Sequence, residues 1–219
     1  MGRANFENEL KQLHIEMIDM GSFVETAIED SVKAFKSNDL ELCKSIIKND
    51  KIVDGMEKKI ESKCLWLIAR EQPVASDLRK ITTALKIITD MERIGDHAVD
   101  IAELTLRIDE KNIFADVSHI PQMAAAAIEM VHNAVTAYVN YDLELAHATE
   151  SMDDKVDEYF NLIKHELAEV FKSQPQDMDS AIDFLQIAKY LERIGDHAVN
   201  ICEWVHFSQT GEHKNTLIF

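Results

Sequence analysis

The sequence predicts an all-α protein of two tandem three-helix bundles, six long helices related by an internal pseudo-twofold. Three observations carry that expectation. Apolar residues recur at spacings of three and four along most of the chain, a thirteen-residue block returns one hundred positions later, and no stretch alternates polar and apolar residues between turn signals as a strand does. With 219 residues, the chain is long enough for two units of roughly 110 residues, each with a core.

Punctuation divides the helices. Pro73, Pro121 and Pro175 stand in polar stretches where a helix can start but not continue. Asp39 and Asp142 read as N-caps, because a short carboxylate can accept the free N–H groups of a first turn. Cutting there gives segments near 4–36, 39–70, 74–109, 118–139, 142–173 and 177–208. In the first, Met17, Met20 and Phe23 form a stripe that reads as core, with a dimer or partner face as the alternative. In the second, Val53, Met56 and Ile60 share a face; in the third, Met91, Ile94, Gly95, Ala98 and Ala102 do. The fourth starts behind Pro121 and the fifth behind Asp142. The sixth carries a nearly continuous seam of Phe184, Ile187, Leu191, Ile194, Ala198, Ile201 and Val205. Helices this long span about 40–50 Å, which suits an elongated bundle.

The repeat fixes the organisation. Met91–Glu103 returns as Leu191–Glu203 with 10 of 13 residues identical, and Asp50-Lys-Ile-Val-Asp54 returns as Asp153-Asp-Lys-Val-Asp157 at an offset of 103. The three-residue difference falls between the second and third helices of each half, where Glu71-Gln72-Pro73 opens the longer connection. The expected units are therefore 1–110 and 111–219, joined through 110–117.

Composition excludes several classes. Lys+Arg number 23 against 40 Asp+Glu, a net charge of −17, so the clustered cations that neutralise nucleic-acid phosphates or an anionic lipid surface are lacking. Such a surface favours metal ions or a basic patch on another protein. An apolar content of 46% argues against disorder. Cys43, Cys64 and Cys202 form no CxxC pair and read as small buried residues in a reducing compartment. Neither a signal-peptide core nor a membrane-spanning run is visible, so the chain reads as soluble and intracellular.

The excess acid has a pattern. On the third helix, at 100° per residue from Met91, residues Glu92, Asp96, Asp100 and Glu103 fall at about 100–180°, a stripe beside the core seam. The sixth helix repeats it with Glu192, Asp196, Asn200 and Glu203, while Asp50/Asp54 and Asp153/Asp157 flank the seams of the second and fifth. Like charges four apart destabilise a helix by about 0.2–0.5 kcal/mol per pair, and four matched stripes imply a compensating cation. Carboxylate donors point to Mg, Mn, Ca or Fe rather than a thiolate-bound metal. The plainer reading is a solvated acidic face with Arg93, Arg193, Lys51 and Lys155 as intrahelical partners. Gly95 and Gly195 interrupt the seams beside these acids, as a close helix crossing requires. His97 and His197 lie off the stripe and read as surface or interface residues.

Glu192–Glu203, its twin at 92–103, Gln72-Pro73-Val74-Ala75-Ser76-Asp77-Leu78-Arg79 and the two paired-Asp motifs together resemble the PhoU family of bacterial phosphate-uptake regulators. The resemblance covers essentially the whole chain. It implies a cytoplasmic homodimer that binds iron or zinc, with Mg or Mn as further options, through Asp50/Asp54, Glu92/Asp96, Asp153/Asp157 and Glu192/Asp196, extended by Asp100 and Asn200. It also implies a non-enzymatic negative regulator linking the phosphate ABC transporter ATPase to a sensor histidine kinase, reaching the membrane only through those partners. Asp90, which is Tyr190 in the other half, would add one acid near the first site.

No Gly-rich phosphate loop or nucleophile–base pair appears. The alternative of another class is a ferritin-like di-metal oxidase or storage protein, for which Glu129/His132, Glu144/His147 and Glu203/His206 have the ExxH spacing. A third, an acidic structural coiled coil, leaves the doubled motif unexplained.

Overall fold

The computed structural model describes residues 3–108, 117–213 and 216–217. The chain runs through α1 (Arg3–Ser37), α2 (Leu40–Glu71), α3 (Ala75–Thr105), α4 (Ile120–Asn140), α5 (Leu143–Glu150), α6 (Asp153–Ser173), a 3₁₀ turn at Pro175–Asp177 and α7 (Met178–Thr210). Two short strands follow, β1 (Glu212–His213) and β2 (Thr216–Leu217), paired antiparallel with Glu212 opposite Leu217. The strand-free expectation misses this pair, which is too short to show a period in the sequence.

The expected punctuation is in place. Asp39 and Asp142 accept from the amides of Leu42 and Leu145 at 3.0 Å, and Pro121 lies in the first turn of α4. All seven seam residues of α7 are buried; each large aliphatic among them contributes about 1.5–3 kcal/mol by leaving water. Met17 and Met20 are fully buried and Phe23 packs against the core, so that stripe is interior. The three cysteines are free and buried, and burial pushes the Cys64 and Cys202 thiols up to about 12.

Two expected boundaries change. The segment 142–173 is two helices, α5 and α6, broken at Ser151–Met152. There the Thr149 and Ser151 hydroxyls donate to the carbonyls of Leu145 and His147, four residues back, and the Met152 amide turns to the Thr149 carbonyl. Such back-bonding competes with the helical ladder and bends it. The third helix stops at Thr105 rather than near 109; the boundary at 110/111 and the connection 110–116 lie outside the described residues. The extra residues of the first half are Gln72–Val74, and Pro175–Asp177 takes the place of the first turn of α3.

α1, α2 and α3 pack together, as do α4, α5, α6 and α7. The halves meet through like elements, α3 along α7 and α1 along α4, and one hydrophobic cluster runs through both. His97 and His197, equivalent in the repeat, have ring centroids 5.7 Å apart. Contact between equivalent residues is the signature of a twofold interface, so the pseudo-twofold axis passes near this pair.

The α1–α4 crossing depends on a residue without a side chain. A Cβ on Gly21 would lie 2.8 Å from Val135 Cγ1, whereas one on the exposed Gly55 would meet nothing within 4 Å. Gly21→Val is expected to destabilise by about 1–3 kcal/mol through overpacking, and Gly55→Ala to stabilise by about 0.5–1 kcal/mol through helix propensity. Thermal and urea unfolding of both variants measure the two signs.

Candidate metal centre

Each acidic set is assembled at a glycine. A Cβ on Gly95 of α3 would lie 3.3 Å from Val53 Cγ1 of α2, the residue flanked by Asp50 and Asp54. On Gly195 of α7 it would lie 3.4 Å from Asp153 Oδ1 and 3.6 Å from Val156 Cγ1 of α6. The close approach brings the acids of one helix against those of the next.

In the first half Asp50, Asp54 and Asp96, all half-buried, offer carboxylate oxygens within 4.8 Å of one another. Burial raises the Asp50 carboxyl above its ordinary range, and the charges of Asp54, Asp96, Glu103 and Asp100 raise it further. Glu92 is raised by burial first and then by Asp96, with Arg93 opposing. Arg93 bonds Asp96 Oδ2 at 2.8 Å and lies 3.4 Å from Glu92 Oε2. Of the four cations expected as intrahelical partners, Arg93 alone plays that part among the described residues; Lys155, for example, stands over the Tyr159 ring instead. Glu57 also belongs to this set, raised by burial and then by Glu61 and Asp54. Its place at i+3 from Asp54 was the available signal, masked because Phe160 stands at the matching position of the repeat.

In the second half, burial and then the charges of Asp196, Asp157, Asp154 and Glu192 push the Asp153 carboxyl up to about 6. Asp153 Oδ1 is buried with no hydrogen-bond partner. Asp196 is raised by burial and Glu192, while Glu192 itself is ion-paired with Lys189. Thr89 stands at the position matching Lys189, and in the first set Arg93 supplies the compensating cation instead. Among the described residues no second trio meets as closely as the first.

Asp50 and Asp96 of the first set and Asp196 of the second line one cleft of about 670 Å³ between the halves, with Arg93 and Arg193 at its wall. The histidines are interface residues, as their place off the stripe suggested. His97 Nδ1 is 3.2 Å from Asp100 Oδ2 and its ring stacks on Tyr190 at 5.3 Å. Asp90 does not supplement the first acidic set: it reaches across the axis to His197 Nδ1 at 2.8 Å and accepts from Asn200 Nδ2 at 3.2 Å. The expected extensions Asp100 and Asn200 are thus both engaged with other side chains. The ExxH histidines are engaged elsewhere: the His132 and His147 side chains are 62% and 60% exposed and pair with Glu25 and Glu150, and His206 Nδ1 lies 3.2 Å from the Glu212 carbonyl.

An all-oxygen donor set with a buried orphan oxygen and raised carboxyl groups fits a hard cation. Asp50, Asp54 and Asp96 could hold one directly, and Asp153, Asp157 and Asp196 supply a second, looser group.

The raised Asp153 carboxyl has a stability consequence. Its folded value, about 6, lies above its ordinary 3.8, so the folded state binds the proton more tightly and the carboxyl's contribution to stability falls as pH rises through this window. Asp153→Asn mimics the neutral form. In chelator-treated protein the variant is expected to melt higher than the wild type at pH 7, with the difference closing as pH falls towards about 4. Thermal scans across that range read it.

The PhoU domain is matched twice along the chain, at residues 17–105 and 120–205. A phosphate-specific transport system accessory protein PhoU homolog of Clostridium acetobutylicum is 40% identical over 213 residues, covering 97% of each chain. PhoU homolog 1 of Thermotoga maritima is 32% identical, covering 98% of this chain and 93% of its own. The crystal structure of the phosphate transport system regulatory protein PhoU from Streptococcus pneumoniae superposes with a TM-score of 0.89 at 27% identity, covering 96% of this chain and all of the other. That of PhoU from Pseudomonas aeruginosa gives 0.89 at 29%, covering 94% of this chain and all of the other. The repeated domain, full-length relatives and matching fold agree with the doubled acidic motif at the inter-bundle cleft: the chain belongs to the PhoU family.

Proposed function

We propose that this protein is a regulatory accessory protein of phosphate transport, a cytoplasmic, non-enzymatic negative regulator of uptake and of the phosphate-starvation response. The observation that carries the reading is the full-length likeness to phosphate-specific transport system accessory proteins, doubled domain included. Among the described residues no helix is long and apolar enough to cross a membrane, so contact with the membrane runs through partners. Those partners are the phosphate transporter's ATPase and a sensor histidine kinase, and the working form is a homodimer.

Metal binding belongs to the same proposal. Asp50, Asp54, Glu92 and Asp96 form one centre and Asp153, Asp157, Glu192 and Asp196 the other, with Asp100 and Asn200 at their edges. Oxygen donors without sulfur favour iron, manganese or magnesium, while zinc more often recruits nitrogen or sulfur. A bound cation would offset the repulsion that raises Asp50 and Asp153, and would stiffen the α2–α3 and α6–α7 contacts.

Two experiments test the halves of this reading. Protein purified without chelator is expected to carry metal, part of it lost in Asp50→Asn/Asp96→Asn and another part in Glu192→Ala/Asp196→Ala. Elemental analysis that finds no metal after reconstitution with iron, manganese or zinc rejects the ligand assignment. Deletion of the gene is expected to derepress phosphate-starvation promoters in phosphate-rich medium, and capture from membranes to recover the transporter ATPase. Unchanged promoter output rejects the regulatory role and leaves the metal result standing.

A further inference from the structure

Away from the acidic cleft, a cavity of about 620 Å³ opens between the N-terminal part of α1, the start of α3 and the end of α4. Its chemistry runs against that of the molecule. In a chain of net charge −17, it gathers Arg3 and Lys11 from α1 and Lys80 from α3. Arg3 is paired with Glu7 at 3.1 Å, but Lys11 and Lys80 are exposed and make no ion pair among the described residues. The first turn of α3, which supplies Asp77 to the lining, receives no side-chain cap from Val74. The Asp77 amide is bonded to the Val74 carbonyl at 3.1 Å and its carboxylate occupies that turn, so the cationic side of the cavity is formed by the lysines.

Beside Leu10, Leu13 and Ile15 the wall is aromatic, and one of its rings is held at an energetic cost. His14 stacks on Tyr141 with centroids 5.8 Å apart at 12° and lies 5.7 Å from the Tyr138 ring. Tyr141 has φ 55°, the left-handed conformation, which is unfavourable for a bulky residue. The matching turn of the first half has Asn38 at φ 50°, a residue suited to that conformation. The second half thus tolerates strain to place an aromatic ring, 40% exposed, at the cavity. Tyr138 is only 6% exposed and lines the same cavity, and its hydroxyl makes no hydrogen bond among the described residues.

We infer that this cavity binds a nucleoside phosphate. Lys11 and Lys80 answer the phosphates, and Tyr141 and His14 give the base a flat wall. The Tyr138 hydroxyl and the Asp77 carboxylate supply a donor and an acceptor for ribose or base. Inorganic phosphate shares the charge but leaves the aromatic wall and most of the volume unused. The site is distinct from the acidic cleft and shares no residue with it.

The test uses full-length, chelator-treated protein, so that nucleotide held through a metal does not contribute. Calorimetric titration with ATP, ADP and AMP is expected to show one site with a dissociation constant of about 10 μM to 1 mM, ATP tightest. Lys11→Glu and Lys80→Glu should each weaken it by about tenfold or more, and Tyr141→Asn, which installs the residue of the matching turn, should weaken it with the fold intact. Inorganic phosphate at about 10 mM should not displace the nucleotide. No saturation by about 5 mM nucleotide, or equal affinity in the three variants, overturns the proposal. Displacement by phosphate at equal concentration overturns the nucleotide assignment in favour of a simple anion site.

Discussion

The close approach of α2 to α3 at Gly95, and of α6 to α7 at Gly195, governs the chemistry of this molecule. A Cβ on Gly95 would crowd Val53 at 3.3 Å, and one on Gly195 would sit in contact with Asp153 and Val156 at 3.4 and 3.6 Å, so the acids beside each valine come against the acids beside each glycine. A glycine inside a helix costs about 1 kcal/mol relative to alanine, and the apposed carboxylates add repulsion that packing must overcome. The apolar seams supply that surplus: Met91, Ile94, Ala98 and Ile101 on α3 and their counterparts on α7 are fully buried or nearly so. The core therefore holds a charge arrangement that would disperse in water.

The seams, caps and repeat were legible because each is a local or periodic property. Seven seam residues of α7 and the Asp39 and Asp142 caps follow from spacing and from what a free amide requires. The four acidic stripes were legible for the same reason, since residues four apart share a helix face. Hidden features depend on what lies across a contact. The break at Ser151–Met152 arises from hydroxyls turning back on their own helix, a choice that Ser and Thr make only in context. The Asp90–His197 pair joins residues 107 apart, and spacing within a helix cannot report it. Glu57 escaped because comparison of the halves favours what they share, and the second half has Phe160 there.

The differences between the halves concentrate where they face each other. An exact twofold would set one acid from each half against the other half's histidine. Here Asp90 does so for His197, whereas His97 meets the Tyr190 ring. Burial lowers His97 below its ordinary value, with Asp100 of its own helix opposing, whereas the carboxylate on His197 comes from the other half. Lys189 engages Glu192 on the second side only. A repeated fold thus carries two acidic centres of unequal charge along one cleft.

That inequality gives the cleft a direction, which a symmetric site lacks. Two identical centres would bind a cation with equal affinity and respond to its concentration together. Different compensation would separate the affinities of any bound cation, because a cation gains most where carboxylates are least compensated. The first centre brings Asp50, Asp54 and Asp96 within 4.8 Å with Arg93 across Glu92 and Asp96; the second has Lys189 on Glu192 and an Asp153 carboxyl raised to about 6, so under the metal-binding proposal a cation would meet different donor spacing and different proton competition at each. On that proposal both centres would clamp helix pairs that meet along α3 and α7, so unequal filling would load the α3–α7 contact from one side before the other. The contact that joins the halves is therefore the element through which cation occupancy could change the shape presented to a partner.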